Sequence, residues 1–251
     1  MDNKLNATFF SLKLETKIFL SILSTLVSIC TILGNVLVIF SFFVESKLRT
    51  SSNYLIASLA VTDLIIGLLS MNIYTTYLLL EIWPFGNFVC DLWLSLDYSV
   101  CLVSQYTVFT ITMDRYFSVR IPAFYHNWRR ERKMLIIIFV IWLIPVLIFF
   151  TLIMAWSKIS GLKSNRKEGE CFAEFASSPL FNILFTITYF WITLIVMIGI
   201  YIAIYSIAVK LENKSEKKQQ KISKFIESIQ VHSDGNSMAN EEKNEFMNKE
   251  T

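Results

Sequence analysis

Asp97 is the residue in this chain best placed to do chemistry. It is one of two carboxylates deep inside long apolar runs, the other being Asp63, and no Lys or Arg lies at such depth to neutralise them. A charge at that depth in hydrocarbon is costly, and it marks an ion or substrate path, a proton site or a ligand counter-ion. Around Asp97 the sequence reads Cys90-Asp-Leu-Trp-Leu-Ser-Leu-Asp-Tyr98. On a helix, residues seven apart share a face, which aligns Cys90, Asp97, Ser104 and Ile111, with Cys101 beside them. The aromatic faces of Tyr98 and Trp93 would attract a cation held by Asp97. The competing reading for Asp97 is a structural hydrogen bond to a neighbouring helix. For Asp63 it is a protonated carboxyl bonded to Asn35 or Ser104. Asp114-Arg115-Tyr116 follows 17 residues after Asp97, roughly 25 Å along the same helix. Asp114 and Arg115 are expected to pair with each other there.

The elements that must hold these residues are apolar helices. The 251-residue chain is 54% hydrophobic with a mean hydropathy of +0.52, gathered into blocks at 18–43, 53–79, 91–116, 134–156 and 180–209. Each is long enough to cross a bilayer, which takes about 20 residues. The expected fold is an all-α membrane protein, a helical bundle of five transmembrane helices spanning 18–209, after a polar segment at 1–17 and before a disordered cytosolic loop or tail at 210–251. The first block is too long for a signal-peptide core and is expected to act as its own insertion signal. Seven Lys and Arg fall in segments on the N-terminal side of the bilayer and sixteen on the opposite side. The positive-inside tendency therefore places the N-terminus outside and the C-terminus in the cytosol. The sequon Asn6-Ala7-Thr8 lies on the outer side as a glycosylation candidate.

Four cysteines allow three disulfide pairings, but Cys30 and Cys101 fall inside spans. Cys90–Cys171 is the expected bridge, on the oxidising side, tying the 157–179 loop over the third helix. Asn35, alone among apolar neighbours, is expected to hydrogen-bond an adjacent helix. Pro145 is expected to kink the fourth span. The run Arg129-Arg130-Glu131-Arg132-Lys133 reads as lipid-headgroup contact. A net charge of +3 gives no case for nucleic acid as a partner. No phosphate loop, Cys-x-x-Cys or His-Glu-x-x-His appears, so neither catalytic nor metal-ligating residues are expected.

Together these residues resemble the rhodopsin-like family of G-protein-coupled receptors: Gly34-Asn35 in the first span, Leu59-Ala60 with Asp63 in the second, Cys90 and Asp114-Arg115-Tyr116 in the third, Trp142 in the fourth, Tyr201 in the fifth. Asp97, seven residues after Cys90, looks like the amine-anchoring aspartate of aminergic receptors, and Trp83-Pro-Phe-Gly86 belongs to the same pattern. The third span is most similar to muscarinic acetylcholine receptors, and 96–108 to their invertebrate B-type members.

That resemblance implies a plasma-membrane, multi-pass receptor whose partners are acetylcholine or a related amine and a heterotrimeric G protein of the Gi/o kind. Asp97 would pair with the ammonium and Tyr98 would join its aromatic cage, with Cys101, Phe149, Thr186 and Tyr189 lining the pocket. Cys101 stands where vertebrate muscarinic receptors have a serine, Phe149 where they have a tryptophan, and Thr193 where most of the family has a proline. Asp63, Asn35 and Ser104 would form an inner Na+ site, with no other cofactor. Asp114, Arg115, Tyr116 and Tyr201 would form the G-protein switch. The family has seven spans and five are present here, so the chain is expected to be a truncated form. Alternative readings are a histamine-type or other biogenic-amine receptor, and a non-signalling membrane protein that retains full-length receptors.

Overall fold

The computed structural model describes residues 14–156, 161 and 166–248. Asn6 and the rest of the first thirteen residues lie outside them. The described chain is helical, with no strand among these residues. In order, α1 is Leu14–Val44, α2 Ser51–Ile65, α3 Met71–Leu80, α4 Gly86–Arg120, α5 Pro122–Trp128, α6 Glu131–Met154, α7 Pro179–Thr186 and α8 Ile192–Asn248. Single π-helical turns, Ile66–Ser70 and Ile187–Trp191, join α2 to α3 and α7 to α8.

Four helical stretches are long and apolar enough to cross a membrane: Leu14–Val44, Ser51–Leu80, Glu131–Met154 and Pro179–Ser223. The fifth, α4, has ample length at 35 residues but carries Asp91, Asp97, Asp114, Arg115 and Arg120. The chain divides into two compact units, Met1–Tyr201 and Ile202–Thr251. The second is helical through Asn248, although its polar composition reads as disorder. Its Lys, Glu and Gln residues are good helix formers, which local propensity rewards without any core.

Within the first unit α4 packs against both α2 and α6 and occupies the centre. The interior is unlike that of a water-soluble protein. Ser52, Ser58, Thr62, Ser95, Ser99, Thr107 and Thr112 are buried, while Phe19, Leu26, Leu37 and Phe40 of α1 are largely exposed. Small and hydroxylated side chains let helix backbones approach closely where lipid removes the hydrophobic drive between helices. At Gly67 the space is tight, since a Cβ would sit 3.2 Å from Thr31 Cγ2 on α1.

Each π turn frees a backbone carbonyl, and a side chain answers it. Ser28 Oγ donates to the Gly67 carbonyl at 2.8 Å, and Asn72 Nδ2 donates to the same oxygen at 3.0 Å. At the later turn, Gln105 Nε2 of α4 donates to the Phe190 carbonyl at 3.1 Å. Trp142 Nε1 donates to Ser58 Oγ at 2.9 Å, fastening α6 to α2. Pro145 is buried, and its carbonyl accepts from Ser99 Oγ at 3.4 Å.

At the Cys90 end the chain turns sharply. Glu81 takes a left-handed φ of 60° and pairs with Lys17 at 2.8 Å. Trp83 is 4% exposed, stacks on Trp93 at 5.1 Å and donates its indole N–H to the Gly86 carbonyl. The Cys90–Cys171 disulfide is formed.

Gly67→Leu should force α1 and α2 apart and destabilise the chain by about 1–3 kcal/mol, the usual cost of overpacking. Reversible SDS or thermal unfolding of the purified chain measures it; unchanged stability would contradict the close approach.

Candidate functional site

The Cys90 half of α4 presents its polar residues to an aromatic shell drawn from three other elements. Asp97 is half-buried on α4. Tyr98, the next residue, meets Phe149 of α6 at 5.3 Å between ring centroids and Phe175 of the loop at 5.6 Å. Phe149 is wholly buried and lies 5.8 Å from Phe185 and 6.0 Å from Tyr189. Phe185 and Tyr189 are 4.7 Å apart. Cys101 lies near Asp97 but is exposed, and Thr186 sits beside Tyr189. Of the six sequence-expected pocket residues, Tyr98, Phe149 and Tyr189 are joined by ring contacts, Asp97 adjoins Tyr98 on α4, Thr186 lies one turn before Tyr189, and Cys101 is exposed. Trp93 belongs instead to the layer above, stacked on Trp83.

Phe175 was not legible as a site residue. It is 2% exposed and rides on the short 3-10 helix Glu174–Ser177 that follows the disulfide. It lies in a loop, where no helical period relates it to the residues it touches, so only the three-dimensional path of the loop reveals it.

Asp97 has no basic partner among the described residues. The Ser70 hydroxyl, at the end of the π turn, lies near it. That hydroxyl is 5% exposed and makes no hydrogen bond of ordinary geometry. The Asp97 carboxylate thus adjoins the aromatic shell through Tyr98, with the Ser70 hydroxyl near it. Such a site can take a cation whose remaining surface is apolar, because the carboxylate supplies the charge and the rings supply their negative faces.

Two turns deeper, Ser104 Oγ donates to Asp63 Oδ1 at 3.1 Å. Asn35 does not join them. Its amide donates to the Thr31 carbonyl at 2.9 Å, one turn back on its own helix, where the nearest acceptor lies. Two of the three donors expected around a cation thus converge, a carboxylate and a hydroxyl. No group of three or more His, Cys, Asp or Glu that could hold a metal occurs among the described residues.

At the far end of α4, Asp114 is 2% exposed and has three donors. Ser52 Oγ lies 2.8 Å from Oδ2, Tyr125 Oη 2.8 Å from Oδ1, and Arg129 Nη1 3.3 Å from Oδ1. Arg129 also donates to Ser52 Oγ at 2.8 Å, which closes the network. The expected pairing of Asp114 with Arg115 is therefore corrected to Arg129. Successive helix residues point about 100° apart, so Arg115 turns outward and is exposed. Arg129 had been absorbed into the basic run at 129–133, and Tyr125 carries no sequence signal of its own. Burial pushes the Tyr125 phenol well above its ordinary value, and its hydrogen bond to Asp114 adds to that shift, so it stays a proton donor. Tyr116 packs on Phe117, and Tyr201 is 52% exposed. The structure does not bring Arg115, Tyr116 and Tyr201 into one cluster with Asp114.

Residues 34–233 match the model of the 7 transmembrane receptor family (rhodopsin family). The chain belongs to that family. It is a membrane protein, and its five helices of spanning length are part of a receptor bundle. Among relatives, it is 42% identical over 185 residues to the muscarinic acetylcholine receptor gar-2 of Caenorhabditis elegans, covering 73% of this chain and 30% of that one. It is 37% identical over 184 residues to the muscarinic acetylcholine receptor M3 of Sus scrofa, covering 73% and 31%. The M1 receptor of Sus scrofa is 38% identical over 183 residues, covering 73% and 40%. The chain thus spans about a third of the length of the relatives it matches.

Removing Arg129 leaves Asp114 buried without its counter-charge, which typically costs about 3–5 kcal/mol. Arg129→Met should therefore destabilise the chain far more than Arg115→Met, whose side chain is exposed. Equal unfolding free energies for the two variants would contradict the network.

Proposed function

We propose that the chain is part of a muscarinic-type receptor for acetylcholine. The observation that carries this reading is Asp97, a carboxylate inside the helix bundle beside an aromatic shell and with no basic partner among the described residues. Acetylcholine offers a permanent positive charge wrapped in methyl groups, which suits a lone carboxylate flanked by rings better than a hydrogen-bonding cation would. In this reading Asp97 holds the ammonium, and Tyr98, Phe149 and Tyr189 pack its methyls. Cys101 and Thr186 complete the wall. The names of the relatives, all muscarinic acetylcholine receptors, support the same ligand class.

The Cys90 end then faces outward, as the distribution of basic residues favours, with the N-terminus outside the plasma membrane. The Asp114 end faces a G protein of the Gi/o kind. Asp114, Tyr125 and Arg129 hold the resting arrangement there, while Arg115, Tyr116 and Tyr201 are free to meet the partner. Asp63 with Ser104 would hold an Na+ ion that favours the resting state.

Asp97→Asn in the complete receptor is expected to weaken acetylcholine at least about 100-fold, the scale of a lost charge-assisted contact in a desolvated site. Radioligand displacement on membranes measures it. Unchanged affinity would sink the anchor assignment.

A further inference from the structure

The loop beyond α6 is held over the Asp97 end by more than its disulfide. Arg166 has a side chain only 4% exposed. One arm of its guanidinium, Nη1, donates to Asp91 Oδ1 at 2.8 Å; the other, Nη2, donates to the Phe172 carbonyl at 2.7 Å. Its Cζ also lies 5.7 Å from the centre of the Phe172 ring. These partners are the immediate neighbours of the two half-cystines: Asp91 follows Cys90 and Phe172 follows Cys171. The guanidinium thus joins, one residue along, the same two strands of chain that the disulfide joins. Its planar fork, with donors on two edges, is what lets a single side chain reach both.

A second link at this place has a geometric consequence. A single cross-link fixes one point and leaves the segment free to swing about it. Two adjacent links fix its direction, and so determine where Phe175 enters the aromatic shell, 5.6 Å from Tyr98 and 5.9 Å from Phe185. Backbone bonds on either side follow the same path. Trp83 N–H donates to the Gly169 carbonyl at 2.8 Å, and Cys171 N–H donates to Tyr77 Oη at 3.2 Å.

We propose that Arg166 is a positioning residue, a non-covalent duplicate of the Cys90–Cys171 bridge that keeps the 166–177 segment seated over the Asp97 site when the disulfide is reduced. This does not depend on which amine the site takes.

Hydrogen exchange of the 166–177 peptides tests it, on the purified chain in nanodiscs, with and without a reductant. Alkylation and intact mass confirm four free thiols rather than two, and protection of α2 and α4 confirms that the fold is kept. Wild type should hold its protection within about threefold after reduction, and oxidised Arg166→Gln should do the same. Reduced Arg166→Gln should exchange at least about 30-fold faster, as a segment released by local opening does. Arg166→Lys retains the charge for Asp91 but not the fork, so its reduced form should fall between. Loss of protection in reduced wild type equal to that in reduced Arg166→Gln would overturn the proposal. So would full protection in reduced Arg166→Gln, or a lysine variant indistinguishable from glutamine.

Discussion

A carboxylate within an apolar bundle must find a counter-charge or a set of donors, and the arrangement of α4 follows from that constraint. The helix carries three, Asp91, Asp97 and Asp114. Asp91 has Arg166, and Asp114 has Arg129 with two hydroxyls. On α2, Asp63 has the Ser104 hydroxyl. Asp97 alone of the three on α4 has no ion pair among the described residues. The protein satisfies the acids at the two ends of α4 with its own arginines, and the one between them is where the proposed ammonium would sit.

The same arginines bring distant chain segments to the helix. Arg129 draws α5 and the start of α6 onto the Asp114 end, and Arg166 draws the loop onto the Cys90 end. Electrostatic need and tertiary organisation coincide at each. Between them the packing is by rings and hydroxyls, with Phe149 wholly buried at the junction of Tyr98, Phe185 and Tyr189. A rigid aromatic wall beside an unpaired carboxylate is suited to a compact cation, because little reorganisation is needed when it enters.

Much of this was legible in the sequence, and for identifiable reasons. Spans follow from hydropathy because a bilayer demands length and internal hydrogen bonding. The alignment of Cys90, Asp97 and Ser104 follows from helical period, and the disulfide from which cysteines lay outside the spans. What eluded the sequence depends on where loops go in space. Arg129 belongs to a basic run that looks like generic surface charge and Arg166 to a loop without a periodic signal, yet each reaches a particular acid, 15 and 75 residues away. Phe175 has no periodic relation to the residues it touches. Asn35 turned back to its own helix because a carbonyl one turn away competes with any neighbour. The tail is helical through Asn248, where a polar composition alone reads as disorder.

The central claim is that Asp97 supplies the charge for a cationic ligand, and an uncharged twin of that ligand tests it most directly. Acetylcholine and 3,3-dimethylbutyl acetate have nearly the same shape, and only the first is charged. On the complete receptor, the ratio of their affinities should be at least about 100 with Asp97 present, a difference of about 2.7 kcal/mol. It should collapse towards one in Asp97→Asn. A ratio that survives the substitution would show that the charge is read elsewhere and would contradict this account.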